Sequence, residues 1–94
     1  MNLEKSKKRI TKRDKMGFQG YPKITLSYYG KTINHASEVL VEFVLEEGAD
    51  IQTERFSSKI DAREDETIQS ALVKMIERTD AKTVSQIDGV SIVA

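Results

Sequence analysis

The sequence predicts a small α+β domain with the element order β-β-β-α-β, and three observations carry that prediction. Two segments between residues 23 and 45 alternate with period two, one segment at 64–79 repeats its apolar residues at helical spacing, and turn-forming residues separate them. With 94 residues the chain holds one domain at most.

In the first strand, Lys23 to Tyr29, Ile24, Leu26 and Tyr28 fall on one face and Thr25, Ser27 and Tyr29 on the other. Gly30 to Ser37 is polar and turn-like. The second strand follows, with Val39, Val41, Phe43 and Leu45 on one face and Leu40, Glu42, Val44 and Glu46 on the other; its mixed second face suits a central position. Glu46 to Asp50, containing Gly48, makes a hairpin connection to a polar strand at Ile51–Ser57, whose polarity suits a sheet edge. Ile68, Ala71, Leu72, Met75 and Ile76 then form one stripe of an amphipathic helix over Glu64–Thr79. Asp61 with Glu64 is the expected cap of that helix, and Lys74 and Arg78 suit its other end. A last strand is expected at 82–87. Asp88-Gly89 is either a tight hairpin turn or an interruption in one longer strand. A fourth strand returning beside the first would give the topology of a ribonuclease H-like half-fold, with the helix across one face of a mixed or antiparallel sheet.

Charge is sorted along the chain. Residues 1–23 hold eight Lys or Arg against two acids, a net of +6, and residues 24–94 hold seven against thirteen, a net of −6. Leu3, Ile10 and Met16 are too sparse to suggest a buried face, so residues 1–16 read as a flexible basic arm and 17–94 as the folded domain. The basic start is followed by no apolar stretch of about seven residues, so no export signal is expected. No run approaches the ~20 apolar residues of a membrane span. The expected location is the cytoplasm, with no membrane partner. The chain has no cysteine, which excludes disulfides, thiolate zinc sites and thiol nucleophiles, and His35 is its only histidine. No cofactor and no metal are expected.

Lys12-Arg13-Asp14-Lys15, Gly17-Phe18-Gln19-Gly20-Tyr21-Pro22 and Tyr28-Tyr29-Gly30 resemble a group of uncharacterised bacterial proteins that share a KRDKxGFQGYP segment and a YYG strand. The likeness is sharp over Thr11–Gly30 and continues more weakly through Glu46-Glu47-Gly48, Arg55-Phe56-Ser57 and the helix. Members of that group continue into a cysteine-bearing tail, which has no counterpart here. The resemblance implies a bacterial protein and no particular activity, and it marks Lys12–Pro22 as a specific element.

Lys5, Lys7, Lys8, Arg9, Lys12, Arg13 and Lys15 can neutralise phosphates, and Phe18, Tyr21 and Tyr29, with Tyr28, can offer stacking faces to unpaired bases. The expected function is therefore that of a small non-enzymatic module binding nucleic acid or a nucleoprotein. The alternative is a protein interaction or assembly module, homodimeric through a sheet edge, whose arm meets an acidic protein surface. The bland readings are a solubilising tail, or an arm folded back on its own acidic helix. Gly17-Phe18-Gln19-Gly20 has the GxxG form of a KH-domain loop, but a strand follows it. Gly30-Lys31-Thr32 is no phosphate loop, because Thr25 stands where that motif requires glycine. A metal-dependent nuclease would need converging carboxylates, and the first strand has none. An enzyme of another kind would need a cleft gathering His35, Glu42 or the Tyr28-Tyr29 pair.

Overall fold

The computed structural model describes residues 2–93. A helix, α1 (Leu3–Lys15), precedes three strands, β1 (Lys23–Gly30), β2 (Glu38–Val44) and β3 (Gln52–Ser57). A single 3₁₀ turn at Ala62–Glu64 leads into α2 (Glu66–Thr79), and β4 (Thr83–Gln86) and the short β5 (Ser91–Ile92) complete the chain.

The period-two residues meet across the sheet as the pattern requires. In the antiparallel β1–β2 pair Ile24 lies opposite Phe43, Leu26 opposite Val41 and Tyr28 opposite Val39. The polar β3 pairs antiparallel with β2 and takes the edge, while β4 lies parallel to β1, giving the order β3-β2-β1-β4. The last long strand lies beside the first, the arrangement that the half-fold topology considered from the sequence would require. Ile24, Leu26, Tyr28, Val39, Val41 and Val84 form one core with Ile68, Leu72, Val73 and Ile76 of α2. Each such side chain contributes about 1.5–3 kcal/mol on burial.

Asp88-Gly89 resolves as an interruption, because β5 also runs parallel to β1. Between the Leu26–Gln86 and Tyr29–Ser91 pairs, β1 advances three residues and its partner five. The two extra residues bulge out of the sheet.

The flexible arm assigned to residues 1–16 is replaced by α1, over the described residues, and the domain extends through it. Asn2 caps the helix, its side chain accepting the Lys5 N–H at 2.9 Å. No Gly or Pro interrupts Leu3–Lys15, Glu4 sits in the first turn and three cations in the last, and Gly17 ends the helix at a φ of +71°. Ile10 is buried in the core beside α2, and the small Ser6 is fully buried where its Oγ lies 3.3 Å from Ser70 Oγ. Two apolar residues seven apart with a serine between them are enough because the rest of the contact is polar.

The cap of α2 also differs from expectation. Asp65 accepts the Ile68 N–H at 3.2 Å and is the N-cap, while Asp61 caps the preceding 3₁₀ turn through the Arg63 N–H. The 3₁₀ turn takes up residues that the helical period had assigned to α2.

Candidate functional site

The basic residues divide on α1 according to what faces them. Lys7 Nζ meets Glu64 at 2.6 Å, Arg9 meets Glu77 at 2.8 Å, and Arg13 donates to the Ala81 carbonyl. The three contacts fold α1 back on the 3₁₀ turn, on α2 and on the residues after it, and the two ion pairs consume part of the positive charge. Lys5, Lys8, Lys12 and Lys15 are exposed and take part in no ion pair among the described residues. Their spacing of i, i+3, i+7 and i+10 places them on one stripe of the helix, about 15 Å long at 1.5 Å per residue. Lys7, Lys8, Thr11, Lys12 and Lys15 line a shallow groove along it.

The aromatic candidates separate. Phe18 is 62% exposed just beyond the end of α1, and its ring meets Tyr21 edge-on with centroids 5.4 Å apart. Tyr29 is half-buried on the sheet face opposite the helices, away from this pair. Tyr28 is only 3% exposed and lies in the core, so it has no face to offer a base. The Gly17–Pro22 segment is fastened to the start of β4: Gln19 N–H donates to Thr83 Oγ1 at 2.8 Å, Thr83 Oγ1 donates to the Gly20 carbonyl at 2.6 Å, and Pro22 O accepts from Lys82 N–H at 2.8 Å. This segment positions Phe18 at the end of the lysine stripe.

A second feature was not legible in the sequence. A pocket of about 460 Å³ lies beside the β4–β5 bulge, lined by Lys7, Thr11, Tyr28, Arg63, Glu64, Gln69, Gln86, Ile87, Asp88 and Gly89. At its floor the Tyr28 hydroxyl donates to Gln86 Oε1 at 3.0 Å and accepts from Gln69 Nε2 at 3.1 Å. Gln69 Nε2 also donates to the Ala62 carbonyl at 2.9 Å. Burial raises the Tyr28 pKa, so the phenol is neutral at pH 7. Gln69 sits among the apolar residues of α2, where a single polar residue leaves the helical period unchanged.

The carboxylates expected at the start of α2 serve structure. Asp61 takes a two-pronged contact from Arg63, Nε to Oδ1 at 2.9 Å and a terminal nitrogen to Oδ2 at 2.6 Å, and accepts the Ala36 N–H at 3.2 Å. The Arg63 guanidinium holds the Asp61 carboxyl well below the usual carboxylate range. No group of three or more His, Cys, Asp or Glu able to hold a metal ion occurs among the described residues. His35 lies in an exposed turn beyond β1, Glu42 on the sheet face opposite the helices and Tyr28 in the core, so no cleft gathers them.

The edge of β3 bears on self-association. Leu26 O accepts from Ile87 N–H, so even-numbered β1 residues face β4; with the printed registers this turns the backbone groups of Thr53, Arg55 and Ser57 outward. In the two antiparallel self-pairings with greatest overlap, Glu54 meets Glu54 or Arg55 meets Arg55. Like charges directly opposite are destabilising, so this edge is protected.

No family model, curated protein or solved structure matches this chain. Among the described residues no helix is long and apolar enough to cross a membrane.

Proposed function

We propose that this protein is a non-enzymatic module that binds nucleic acid through α1. The observation that carries the reading is the stripe of Lys5, Lys8, Lys12 and Lys15, exposed and outside the internal ion pairs, with Phe18 exposed at its end. A row of lysines follows a phosphate backbone as point charges without reading sequence, and an exposed ring stacks on any unpaired base. The acidic remainder of the chain confines such contact to this helix, since it repels phosphate elsewhere. Cytoplasmic residence and a bacterial origin belong to the same proposal.

The test is fluorescence anisotropy of labelled single-stranded and duplex DNA and RNA across a salt series, using the full chain. The lysines are substituted in place in the full chain, because α1 also carries the buried Ser6 and Ile10. Affinity that falls with log salt and depends on the four lysines supports the proposal. Absence of binding at low salt removes it and favours an acidic protein surface as the partner of the same lysines.

A further inference from the structure

We infer that the pocket beside the β4–β5 bulge receives one unpaired base of a single strand whose backbone runs along the α1 lysines, an inference that rests on the nucleic-acid reading above. The pocket and the lysine groove are neighbours, each lined by Lys7 and Thr11. A base turned out of a strand lying in the groove therefore has an opening beside it.

The chemistry of the pocket suits a base rather than a phosphate. Lys7 and Arg63 are each paired, with Glu64 and Asp61, and Asp88 stands at the rim, so the charged groups leave no net positive site. What remains is a pair of amides on either side of one hydroxyl. Gln69 spends its Nε2 on Tyr28 and Ala62, and its Oε1 accepts no bond among the described residues. Gln69 is 2% exposed and lines the pocket, and no buried side-chain polar atom lacks a partner among the described residues, so that oxygen keeps a narrow access to solvent. Gln86 spends its Oε1 on Tyr28, which leaves its Nε2 as a donor. One acceptor and one donor, on amides held by the same phenol, are the two kinds of group that a base edge pairs with. Ile87, half exposed at the wall, supplies an apolar surface for the ring. The volume of about 460 Å³ falls within the range of about 300–1,000 Å³ usual for small-molecule sites. The bulge is what makes the room, since an uninterrupted strand would continue past Gln86 along β1.

Two measurements on the full chain test this. The first compares short single-stranded homopolymers with the same backbone carrying abasic sites, for the wild type, Gln86→Glu and Gln86→Met, with thermal melts confirming that each variant folds. Gln86→Glu keeps the oxygen to which Tyr28 donates and removes the amide donor; Gln86→Met removes both without adding charge. The expected result is a loss of about tenfold in affinity for base-bearing single strands in the Met variant, with duplex affinity and salt slope unchanged. The second follows the side-chain amide NMR signals of Gln69 and Gln86 on adding free adenosine or cytidine, and shifts confined to the pocket are expected. Polymer binding with a normal salt slope, no preference over abasic strands and no nucleoside shifts overturns the pocket inference and leaves the lysine reading standing. Nucleoside shifts without polymer binding overturn the lysine reading and leave a base pocket. Equal weakening of duplex and single strand by Gln86→Met overturns the assignment of Gln86 to base contact.

Discussion

The carboxylate of Asp14, at the end of α1, accepts the backbone N–H of Gln86, at the end of β4, at 2.9 Å. The contact holds the first helix against the last long strand and fixes the residue whose side chain shapes the pocket floor. A hydrogen bond to a charged group contributes about 1.5–3 kcal/mol. Asp14→Ala is expected to lower stability by that amount in urea unfolding, and Asp14→Asn, which keeps an acceptor oxygen, by about half as much.

Ile10 is 1% exposed in the common core, so α1 contributes to folding and not only to charge. Ile10→Ala is expected to cost about 2–5 kcal/mol, as large-to-small core changes do. A chain starting at Gly17 would lose Ile10, the Ser6 contact and the Asp14 clasp together, and a broad, low-temperature melt is the expected result. An unchanged melting temperature for that chain would contradict the packing of α1.

The strands and α2 were legible because burial on one side imposes a period, and Ile24, Leu26 and Tyr28 or Ile68, Leu72 and Ile76 display it without interruption. The same logic misses α1, whose inward side has Ser6 and Ile10 buried and Leu3 and Asp14 half-buried, correctly spaced but half polar. Its end signals were present, with Asn2 before it, Glu4 early, Lys and Arg late and Gly17 after it. The run of charge outweighs them, because a segment so rich in Lys and Arg has the composition of a tail. The basic residues of α1 are all evident in the sequence, but which of them Glu64 and Glu77 consume depends on tertiary contact. The pocket was illegible because Gln69 and Gln86 come from different elements and meet only through Tyr28.

Asp61 links the loop after β1 to the 3₁₀ turn that leads into α2, through Ala36 and Arg63. Its folded-state pKa lies below the unfolded value of about 3.9, so its contribution is complete above that pH and is lost as the pH falls below it. Asp61→Asn is expected to be less stable than the wild type by about 1–3 kcal/mol at pH 7. The gap between the two should narrow steadily below about pH 4 in acid titrations followed by circular dichroism.

Tyr28 behaves in the opposite sense. Burial raises its pKa from 10.0, so folding favours the neutral phenol and that stabilisation declines as the pH rises past about 10. Tyr28→Phe leaves Gln69 Nε2 and Gln86 Oε1 without the shared hydroxyl, for an expected cost of about 1–2 kcal/mol at pH 7. The variant should also show a shallower loss of stability between pH 10 and 11 than the wild type, as read by urea midpoints across that range.

The division of the α1 cations gives the sharpest contrast. Lys8 and Lys12 point from the exposed stripe, whereas Arg9 is held by Glu77 and Lys7 by Glu64. Each phosphate neutralised contributes a slope of about −0.7 for a single strand and about −0.9 for duplex DNA in log affinity against log salt. Lys8→Gln with Lys12→Gln is therefore expected to reduce the magnitude of the slope by about 1.4 on single strands and about 1.8 on duplex, while shifting stability by no more than about 0.5 kcal/mol. Lys7→Gln with Arg9→Gln removes the same formal charge but from groups already paired, so its slope should change by less than half as much. Equal slopes for the two double variants would mean that net charge alone governs binding, and the stripe would have no special part in it.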